Sequence, residues 1–235
     1  MMNGKRILAV VPARGGSKGV PMKNIRPVNG VPLLAMVAPV VKNVQQIDRT
    51  VVSTDNSEVA RVAKEAGLEV PFVRPPEISG DRIGDWDVLI HALHTVEKVE
   101  GKTYDIILLL PPTSPLRTPD HVLRVLEKIV NENLDSVWTV TESDLKFHPL
   151  KALTITDGRM DYFDARGSQI IARQQLTPVY HRNGLAYAMT RSCLIDQKKI
   201  MGKKAGAIIV NETLVNIDTQ EDFDRLEKIL LDRRV

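Results

Sequence analysis

Near its start the chain reads Ile7-Leu-Ala-Val-Val-Pro-Ala-Arg-Gly-Gly-Ser-Lys-Gly-Val-Pro-Met-Lys-Asn24, an apolar run followed by a loop of glycines and cations. The run from Ile7 to Val11 predicts a buried strand that ends at Pro12. Glycines let the backbone approach a ligand closely, so that successive N–H groups can point at one anion. The loop carries three glycines, three cations and a serine: Gly15, Gly16, Gly19, Arg14, Lys18, Lys23 and Ser17. Three cations make a polyphosphate the expected anion.

This loop matches neither of the two best-known phosphate-binding loops. It lacks the Gly-Lys-Ser/Thr ending of a P-loop and the G-x-G-x-x-G spacing of a dinucleotide fold. We therefore expect a third kind of nucleotide site. From the loop alone, a solvated glycine-rich turn between a strand and a helix stays open as the alternative.

The composition is that of an ordinary globular protein. Of 235 residues, 43% are hydrophobic and 26% are charged, which suits a single domain with a large core. The net charge of +3 is spread along the chain and aromatic residues make up only 4%, which disfavours a nucleic-acid partner. The single Cys193 excludes an internal disulfide and a cysteine-based zinc site. No stretch approaches the ~20 apolar residues of a membrane span, so we expect a soluble cytoplasmic protein without a membrane partner.

Strand-like and helix-like segments alternate, which predicts an α/β fold: a doubly wound, mostly parallel sheet with helices on both faces. Strands are expected at residues 49–54, 68–73, 105–110, 136–140, 184–189 and 207–210, and helices at residues 31–44, 55–66 and 86–99, from Thr118 and from Phe223. In such sheets, ligands bind beyond the carboxyl ends of the strands. The loops after Val11, Val73 and Leu110 should therefore converge on one crevice.

Residues 141–182 break this alternation. The segment is polar, lacks a core helix and is too long for a plain loop, and Asp157-Gly158 predicts a hairpin turn within it. We interpret 141–182 as an excursion from one domain spanning residues 1–235, and we expect the excursion to need a partner surface.

The opening loop, through Asn24, resembles the signature of acylneuraminate cytidylyltransferases, the CMP-sialic acid synthetases. Further segments fall in the order of that family: Val52-Ser-Thr-Asp55, Arg74-Pro-Pro-Glu77 followed by Asp81, Pro112-Thr-Ser-Pro-Leu-Arg117, His148-Pro-Leu-Lys151, Arg173-Gln-Gln175, Arg182-Asn-Gly184 and Asn216-Ile-Asp-Thr219. The resemblance covers nearly the whole chain. It implies a three-layer fold like that of nucleotide-diphospho-sugar transferases, a homodimer built on residues 141–182, CTP, Mg²⁺ and a 2-keto sugar acid.

The resemblance also implies a nucleotide site. The residues expected at the nucleotide are Arg14, Gly15, Ser17, Lys23, Asn24 and Arg74, together with Asp85, which lies where the family has a serine-rich run that touches the nucleotide. The loop cations can offset charge on the leaving pyrophosphate when the anomeric hydroxyl of the sugar acid attacks the α-phosphorus. Arg74 could instead form a surface salt bridge with Glu77, and Asp55 is expected to cap a helix.

A magnesium ion prefers oxygen ligands, usually one or two carboxylates together with substrate oxygens and waters. Asp218 is the best candidate ligand, expected at the end of a strand that faces the crevice, with Asn216 beside it. The alternative for Asp218 is a helix N-cap ahead of Gln220. The expected catalytic set is Arg14, Lys23, Arg173 and Asp218.

The carboxylate of the sugar acid calls for a cation. The resemblance supplies Lys151 and Arg173, which lie in the excursion and serve the site of the neighbouring subunit. The other residues that it places at the sugar are Pro111, Thr113, Ser114 and Tyr187. A buried strand tyrosine is an equally open interpretation of Tyr187, and His148 is expected to be structural rather than a base.

Three positions depart from the family's pattern. Pro111 replaces a glutamine that commonly reaches the sugar, Asp85 lies in a run that replaces a serine-rich one, and Asn216 replaces the first acidic residue of an Asp-x-Asp pair. Together they favour a nonulosonic acid related to sialic acid over sialic acid itself, and Asp85 leaves open whether cytosine is the only base accepted. Two alternatives stay open: activation of an eight-carbon acid of the Kdo or amino-Kdo type, and a catalytically weakened, nucleotide-binding regulatory paralogue.

Overall fold

The structure is a computed structural model that describes residues 1–16 and 19–232. These residues divide into two compact units. The first unit comprises Met1–Thr139, Asn183–Ile208 and the chain from Thr213 onward, and the second comprises Val140–Arg182 and Ile209–Glu212. The single domain with a dimerising excursion stays a prediction.

Strands and helices alternate along much of the first unit. The strands are β1 (Ile7–Pro12), β2 (Pro27–Val28), β3 (Val31–Pro32), β4 (Arg49–Ser53), β5 (Ile106–Leu109), β6 (Ser136–Glu142), β7 (Leu153–Thr156), β8 (Arg159–Tyr162), β9 (Tyr180–Thr190) and β10 (Ala205–Ile209). The helices are α1 (Val37–Lys42), α2 (Ser57–Glu65), α3 (Asp85–Glu100), α4 (Pro119–Asn131), α5 (Arg191–Ile195) and α6 (Gln220–Asp232).

Within the described residues, six strands form the main sheet, in the order β10-β6-β9-β5-β1-β4. β1 pairs in parallel with β4, where Val10 lies opposite Val51, and with β5, where Val10 lies opposite Leu109. β9 runs antiparallel to β5, with Leu108 opposite Ala188. All four residues of β5 are buried, as expected for a strand with neighbours on both edges and helices on both faces. The predicted sheet is confirmed, and β9 is antiparallel to its neighbour β5.

Each face of the sheet carries its own apolar layer. Alternate residues of a strand point to opposite faces. Accordingly, Ile7, Ala9 and Val11 join a buried cluster with α1, α2 and α4, whereas Leu8 and Val10 join one with α3 and α5. Helices thus cover both faces, which confirms the three-layer α/β fold. Among residues 1–16 and 19–232, no helix is both long and apolar enough to cross a membrane.

The predicted helix over residues 31–44 is wrong at its start. Val31–Pro32 instead pairs with Pro27–Val28 as a small hairpin, and helical structure begins with a 3-10 turn at Leu34–Met36. The cause is Asn29-Gly30, whose φ values are 49° and 81°. Two successive left-handed residues make the tight turn that reverses a chain into a hairpin.

The predicted strand over residues 68–73 is also wrong. Glu69 forms an isolated parallel bridge to β4, and Pro71 has no N–H to donate to a longer ladder. The chain then reaches Arg74, whose backbone N–H donates to the Thr54 carbonyl at 2.8 Å. The segment therefore leads into the crevice as irregular backbone.

The start of α2 corrects the role expected of Asp55. The cap is the next residue, Asn56, whose Oδ1 accepts from the N–H groups of Glu58 (2.9 Å) and Val59 (3.0 Å). Gly67, at φ 80°, follows the last turn as predicted. Asp55 therefore does not cap α2.

The second unit contains the predicted hairpin. β7 and β8 pair antiparallel through Asp157-Gly158, whose φ values are 51° and 74°. In the same unit His148 is buried, its Nδ1 accepting from the Leu150 N–H (3.1 Å) and its Nε2 lying 3.2 Å from the Thr177 carbonyl. Both ring nitrogens face backbone groups, which supports the structural role expected of His148.

Candidate active site

A cleft of about 260 Å³ lies in the first unit, beyond the carboxyl ends of β1 and β5. The three loops predicted to converge do so here. They are the loop after β1, the segment that contains Arg74, and the loop after β5. The described residues that line the cleft are Pro12, Arg14, Gly16, Lys23, Asn24, Arg74, Ile78, Gly80, Asp81, Ile83, Asp85, Val88, Pro111, Pro112 and Thr113. Ser17 and Lys18, two members of the opening loop, lie outside the described residues.

The loop after β1 is fixed by Asp55. The Oδ1 of Asp55 accepts a hydrogen bond from the N–H of Gly15 at 2.9 Å. A side chain at Gly15 has no room, because a Cβ there would lie 2.6 Å from the Cβ of Asn56. The close approach of the loop to the start of α2 explains the need for glycine at this position. In the sequence Thr-Asp-Asn before α2, local capping rules assign Asp55 to the helix, whereas the structure uses it to hold the loop.

Arg14 reaches across the cleft to an acidic partner that sequence reasoning did not place in the site. Its Nη1 lies 2.7 Å from Oδ1 of Asp81, and both side chains are partly exposed. The Arg14 carbonyl accepts from the Asn24 Nδ2 at 3.0 Å, and Asn24 is buried. Asn24 therefore anchors the loop backbone from behind while lining the cleft.

Lys23 and Asp218 form an ion pair. The Nζ of Lys23 donates to Oδ1 of Asp218 (2.8 Å) and to the Ile217 carbonyl (2.7 Å). Gly19 permits this approach, since a Cβ there would lie 2.4 Å from the Asp218 carbonyl oxygen. The charge of Lys23 is thus neutralised by Asp218, the residue expected to bind the metal.

The position of Asp218 differs from that predicted. Asp218 lies in irregular backbone, not at a strand end, and its side chain is 67% exposed. Nor is it the cap of α6, because the Thr219 hydroxyl accepts from the Asp222 N–H (3.3 Å) and the Asp222 carboxylate accepts from the Thr219 N–H (2.8 Å). The carboxylate is therefore accessible to a ligand.

Asn216 lies beside Asp218. Its Nδ2 donates to Oδ2 of Asp218 at 3.3 Å, and its Oδ1 accepts from the Ser114 hydroxyl at 3.4 Å. In the part of the chain that the structure describes, no group of three or more His, Cys, Asp or Glu side chains is arranged to hold a metal. The Asn216 nitrogen thus faces Asp218 and its oxygen faces Ser114, so Asp218 supplies the one carboxylate, which fits a Mg²⁺ ion bound mainly by substrate oxygens and waters.

Arg74 is a buried donor at the cleft. The side chain is 4% exposed, which contradicts the alternative of a surface salt bridge with Glu77. Its Nη2 donates to the Ser53 carbonyl at 3.1 Å, and its Nε has no hydrogen-bond partner among the described residues. Burial lowers the pKa of Arg74, while the nearby Asp55 opposes that shift. A buried donor without a partner at a cleft wall is a group for a ligand to satisfy.

A family model described as cytidylyltransferase matches residues 8–234. The chain belongs to the cytidylyltransferase family. One relative is the CMP-N,N'-diacetyllegionaminic acid synthase of Legionella pneumophila, 30% identical over 229 residues that cover 96% of each chain. Another is the pseudaminic acid cytidylyltransferase of Campylobacter jejuni, 28% identical over 218 residues, 92% of this chain and 93% of the relative. The resemblance seen in the opening loop is confirmed, and this chain is a nucleotidyltransferase.

A solved structure supports the fold of this cytidylyltransferase. That structure is a CMP:2-keto-3-deoxy-manno-octonic acid synthetase complexed with CTP. The match covers 97% of this chain and 99% of the synthetase chain, with a TM-score of 0.74 and 19% sequence identity. At this identity the likeness shows the fold alone. It confirms the predicted nucleotidyltransferase-type α/β architecture.

The loop after β5 is held by a residue that sequence reasoning missed. Arg117 of the cytidylyltransferase is buried, and its guanidinium donates to the carbonyls of Leu185, Pro111 (2.5 Å) and Gly184 (3.0 Å). Burial lowers the pKa of Arg117 to about 9, so it remains a cation at neutral pH. An arginine within a proline-rich loop is a signal for such a clamp, because it can serve several carbonyls at once.

Ser114 and Tyr187 are buried, and neither is among the described residues that line the cleft. The buried Ser114 hydroxyl donates to the Asn183 carbonyl at 3.1 Å. The hydroxyl of Tyr187 accepts from the Gly184 N–H at 2.5 Å, and its ring lies 5.3 Å from that of Trp138. The structure places Tyr187 in the core, as the buried-strand alternative expected, and its contact with a sugar stays a prediction.

In the second unit of the cytidylyltransferase, Lys151 and Arg173 line one pocket. The pocket is about 270 Å³ and also includes Asp144, Leu145 and Lys146. Hydrogen bonds from Lys146 lower the pKa of the Asp144 carboxyl, and the charge of Arg173 adds to this effect. Lys151 and Arg173 are far apart in sequence but line the same pocket, and two cations together can bind a carboxylate.

Proposed function

We propose that this cytidylyltransferase transfers CMP from CTP to the anomeric hydroxyl of a nonulosonic 2-keto sugar acid and releases pyrophosphate. The observation that carries the proposal is the cleft beyond β1 and β5, where Arg14 and Lys23 of a glycine-rich loop lie on one wall. Relatives that match more than nine-tenths of the chain are named for legionaminic and pseudaminic acids. Both names support a nonulosonic acid as the acceptor.

The proposed role of Arg14 and Lys23 is to bind the triphosphate. Each is now paired with a carboxylate, Asp81 at 2.7 Å and Asp218 at 2.8 Å. A triphosphate carries more charge than a carboxylate and can replace these partners. As the bond between the α-phosphorus and its bridging oxygen breaks, the same cations offset charge on the leaving pyrophosphate.

Asp218 and Asn216 are the residues proposed to hold Mg²⁺. A bound magnesium ion lowers the pKa of a hydroxyl and neutralises phosphate oxygens. Asp218 supplies a charged, accessible oxygen, and Asn216 supplies an uncharged one. Binding of the metal would therefore depend strongly on Asp218 and on the phosphate oxygens of the nucleotide.

Lys151 and Arg173 are proposed to bind the carboxylate of the sugar acid, in the site of a second copy of the chain. The hairpin of the same unit offers a surface for that copy. Leu153 lies opposite Tyr162 and Ile155 opposite Met160, so these four side chains share one face. All four are exposed, Ile155 by 74%. An isolated two-stranded hairpin is marginally stable, and burial against an identical face would stabilise both copies.

The dimer can be tested by placing a charge on this face. We expect Ile155→Asp to raise the dissociation constant of the homodimer at least ~10-fold, because a carboxylate would be buried without a partner. Light scattering coupled to size-exclusion chromatography measures the change. Thr154→Asp is the matched control, since Thr154 is exposed on the opposite face of β7. A wild-type chain that is monomeric at micromolar concentration and fully active would contradict the shared site.

The proposed acceptor differs from N-acetylneuraminate. Pro111, at the cleft wall, has no side-chain hydrogen-bonding group, and its carbonyl is held by Arg117 at 2.5 Å. A glutamine at this position would reach a polar group of the sugar, whereas Pro111 presents only an apolar ring. This favours a nonulosonic acid that is less polar at that contact.

Pyrophosphate release tests the whole proposal. Each of the four nucleoside triphosphates is assayed with magnesium against legionaminic, pseudaminic, N-acetylneuraminic and Kdo acids. We expect release with CTP and a legionaminic- or pseudaminic-type acid. Release with Kdo alone would favour the eight-carbon alternative. Binding of CTP without release for any acid would favour the weakened regulatory paralogue that Asn216 suggests.

A further inference from the structure

The cleft has two chemically different walls. The opening loop contributes cations and backbone, whereas the wall formed by residues 74–88 contributes the apolar side chains of Ile78, Ile83 and Val88. Apolar side chains suit the faces of an aromatic base, whose edge then needs polar partners. The wall of residues 74–88 is thus the better place for the base of the nucleotide.

Three charged residues of this wall line the cleft: Arg74, Asp81, which also forms an ion pair with Arg14, and Asp85. Arg74 is a donor held rigidly by the Ser53 carbonyl, with its Nε unpartnered among the described residues. Asp85 is the first residue of α3 and is half-buried at the cleft. A carboxylate accepts hydrogen bonds and donates none. The wall therefore offers one fixed donor and two carboxylate acceptors, of which Asp85 is the more buried.

We infer that Asp85 selects cytosine over uracil by accepting a hydrogen bond from the exocyclic amino group, with Arg74 donating to an acceptor atom of the same base. Cytosine carries an amino donor where uracil carries a carbonyl oxygen. A carboxylate attracts the first and repels the second. This inference rests on the proposed function and adds the residue that sets base specificity.

The test compares CTP and UTP binding by titration calorimetry, without sugar acid. We expect the wild type to prefer CTP, and Asp85→Asn to reduce that preference at least ~10-fold, because the amide can donate to the uracil carbonyl and the charge is gone. Asp87→Asn is the matched control. It removes the same charge from the same first turn of α3, but Asp87 does not line the cleft among the described residues. Its CTP preference should equal that of the wild type.

The outcomes separate this inference from the proposed function. A wild type that binds CTP and loses no preference in Asp85→Asn would overturn the role of Asp85 and leave the proposed function standing. A wild type that binds neither nucleotide would overturn both. Should Asp85→Asn unfold, Asp85→Ser provides the same comparison, because serine also removes the charge and its hydroxyl can donate to the uracil carbonyl. Thermal melting by circular dichroism identifies which variant is folded.

Discussion

Replacing Asp218 with asparagine is expected to lower the rate of pyrophosphate release by at least ~100-fold, the range seen when one preorganised electrostatic group is removed from an active site. The fold should remain, because the Asp218 side chain is 67% exposed and the cap of α6 is Thr219, whose hydroxyl accepts from the Asp222 N–H. Steady-state kinetics at saturating CTP and magnesium measure the loss. Near-normal turnover under these conditions would rule out the proposed metal role.

The same variant is expected to bind CTP more tightly when no divalent cation is present. Lys23 donates to Asp218 at 2.8 Å, so a triphosphate competes with this carboxylate for the ammonium group. Asparagine keeps the shape and removes the competing charge. Water screens the exposed Asp218, which limits the gain to about 1 kcal/mol or less, a few-fold in affinity.

Calorimetry with CTP in EDTA measures this second effect. Glu221→Gln is the control, because it removes an exposed acidic charge from the first turn of the neighbouring helix α6. Its affinity for CTP in EDTA should match that of the wild type. An equal gain in both variants would indicate a general charge effect instead of competition at Lys23.

The elements that sequence patterns predicted well are those fixed by local composition. β1 and β5 are continuous apolar runs, and α3 shows helical spacing of its buried residues, so each formed where expected. The convergence of three loops followed from the position of ligands in open α/β sheets. Local misassignments occurred where one turn or one proline overrode a longer pattern, as at Asn29-Gly30 and Pro71.

The contacts within the candidate site could not be predicted in the same way. Asp55 and Gly15 are 40 residues apart, and Lys23 and Asp218 are 195 apart. No local pattern records a hydrogen bond between such distant positions. Sequence identified the chemical types at the cleft, whereas the fold decided which cation each carboxylate neutralises. Arg117 was missed because two of the carbonyls that it clamps, those of Gly184 and Leu185, lie on β9, far from it in sequence.

Replacing Arg117 with methionine is expected to destabilise the protein by about 3–5 kcal/mol, because three carbonyls would lose a buried donor that they share. The guanidinium joins the loop after β5 to β9 through Pro111, Gly184 and Leu185. Urea unfolding measures the change as a lower midpoint. Arg124→Met is the matched control: Arg124 is an exposed arginine of α4, 3.7 Å from Asp120, and its loss should cost less than about 0.5 kcal/mol.

Arg117→Lys distinguishes a clamp from a simple buried charge. Lysine keeps the charge, but a single ammonium group cannot reproduce the planar fork that serves three carbonyls. We expect Arg117→Lys to be destabilised nearly as much as Arg117→Met and to bind CTP more weakly than the wild type, because Pro111 and Thr113 line the cleft. If lysine restored both stability and CTP affinity, charge alone would account for Arg117. The contrast between these variants therefore tests whether the loop after β5 takes its position from the guanidinium.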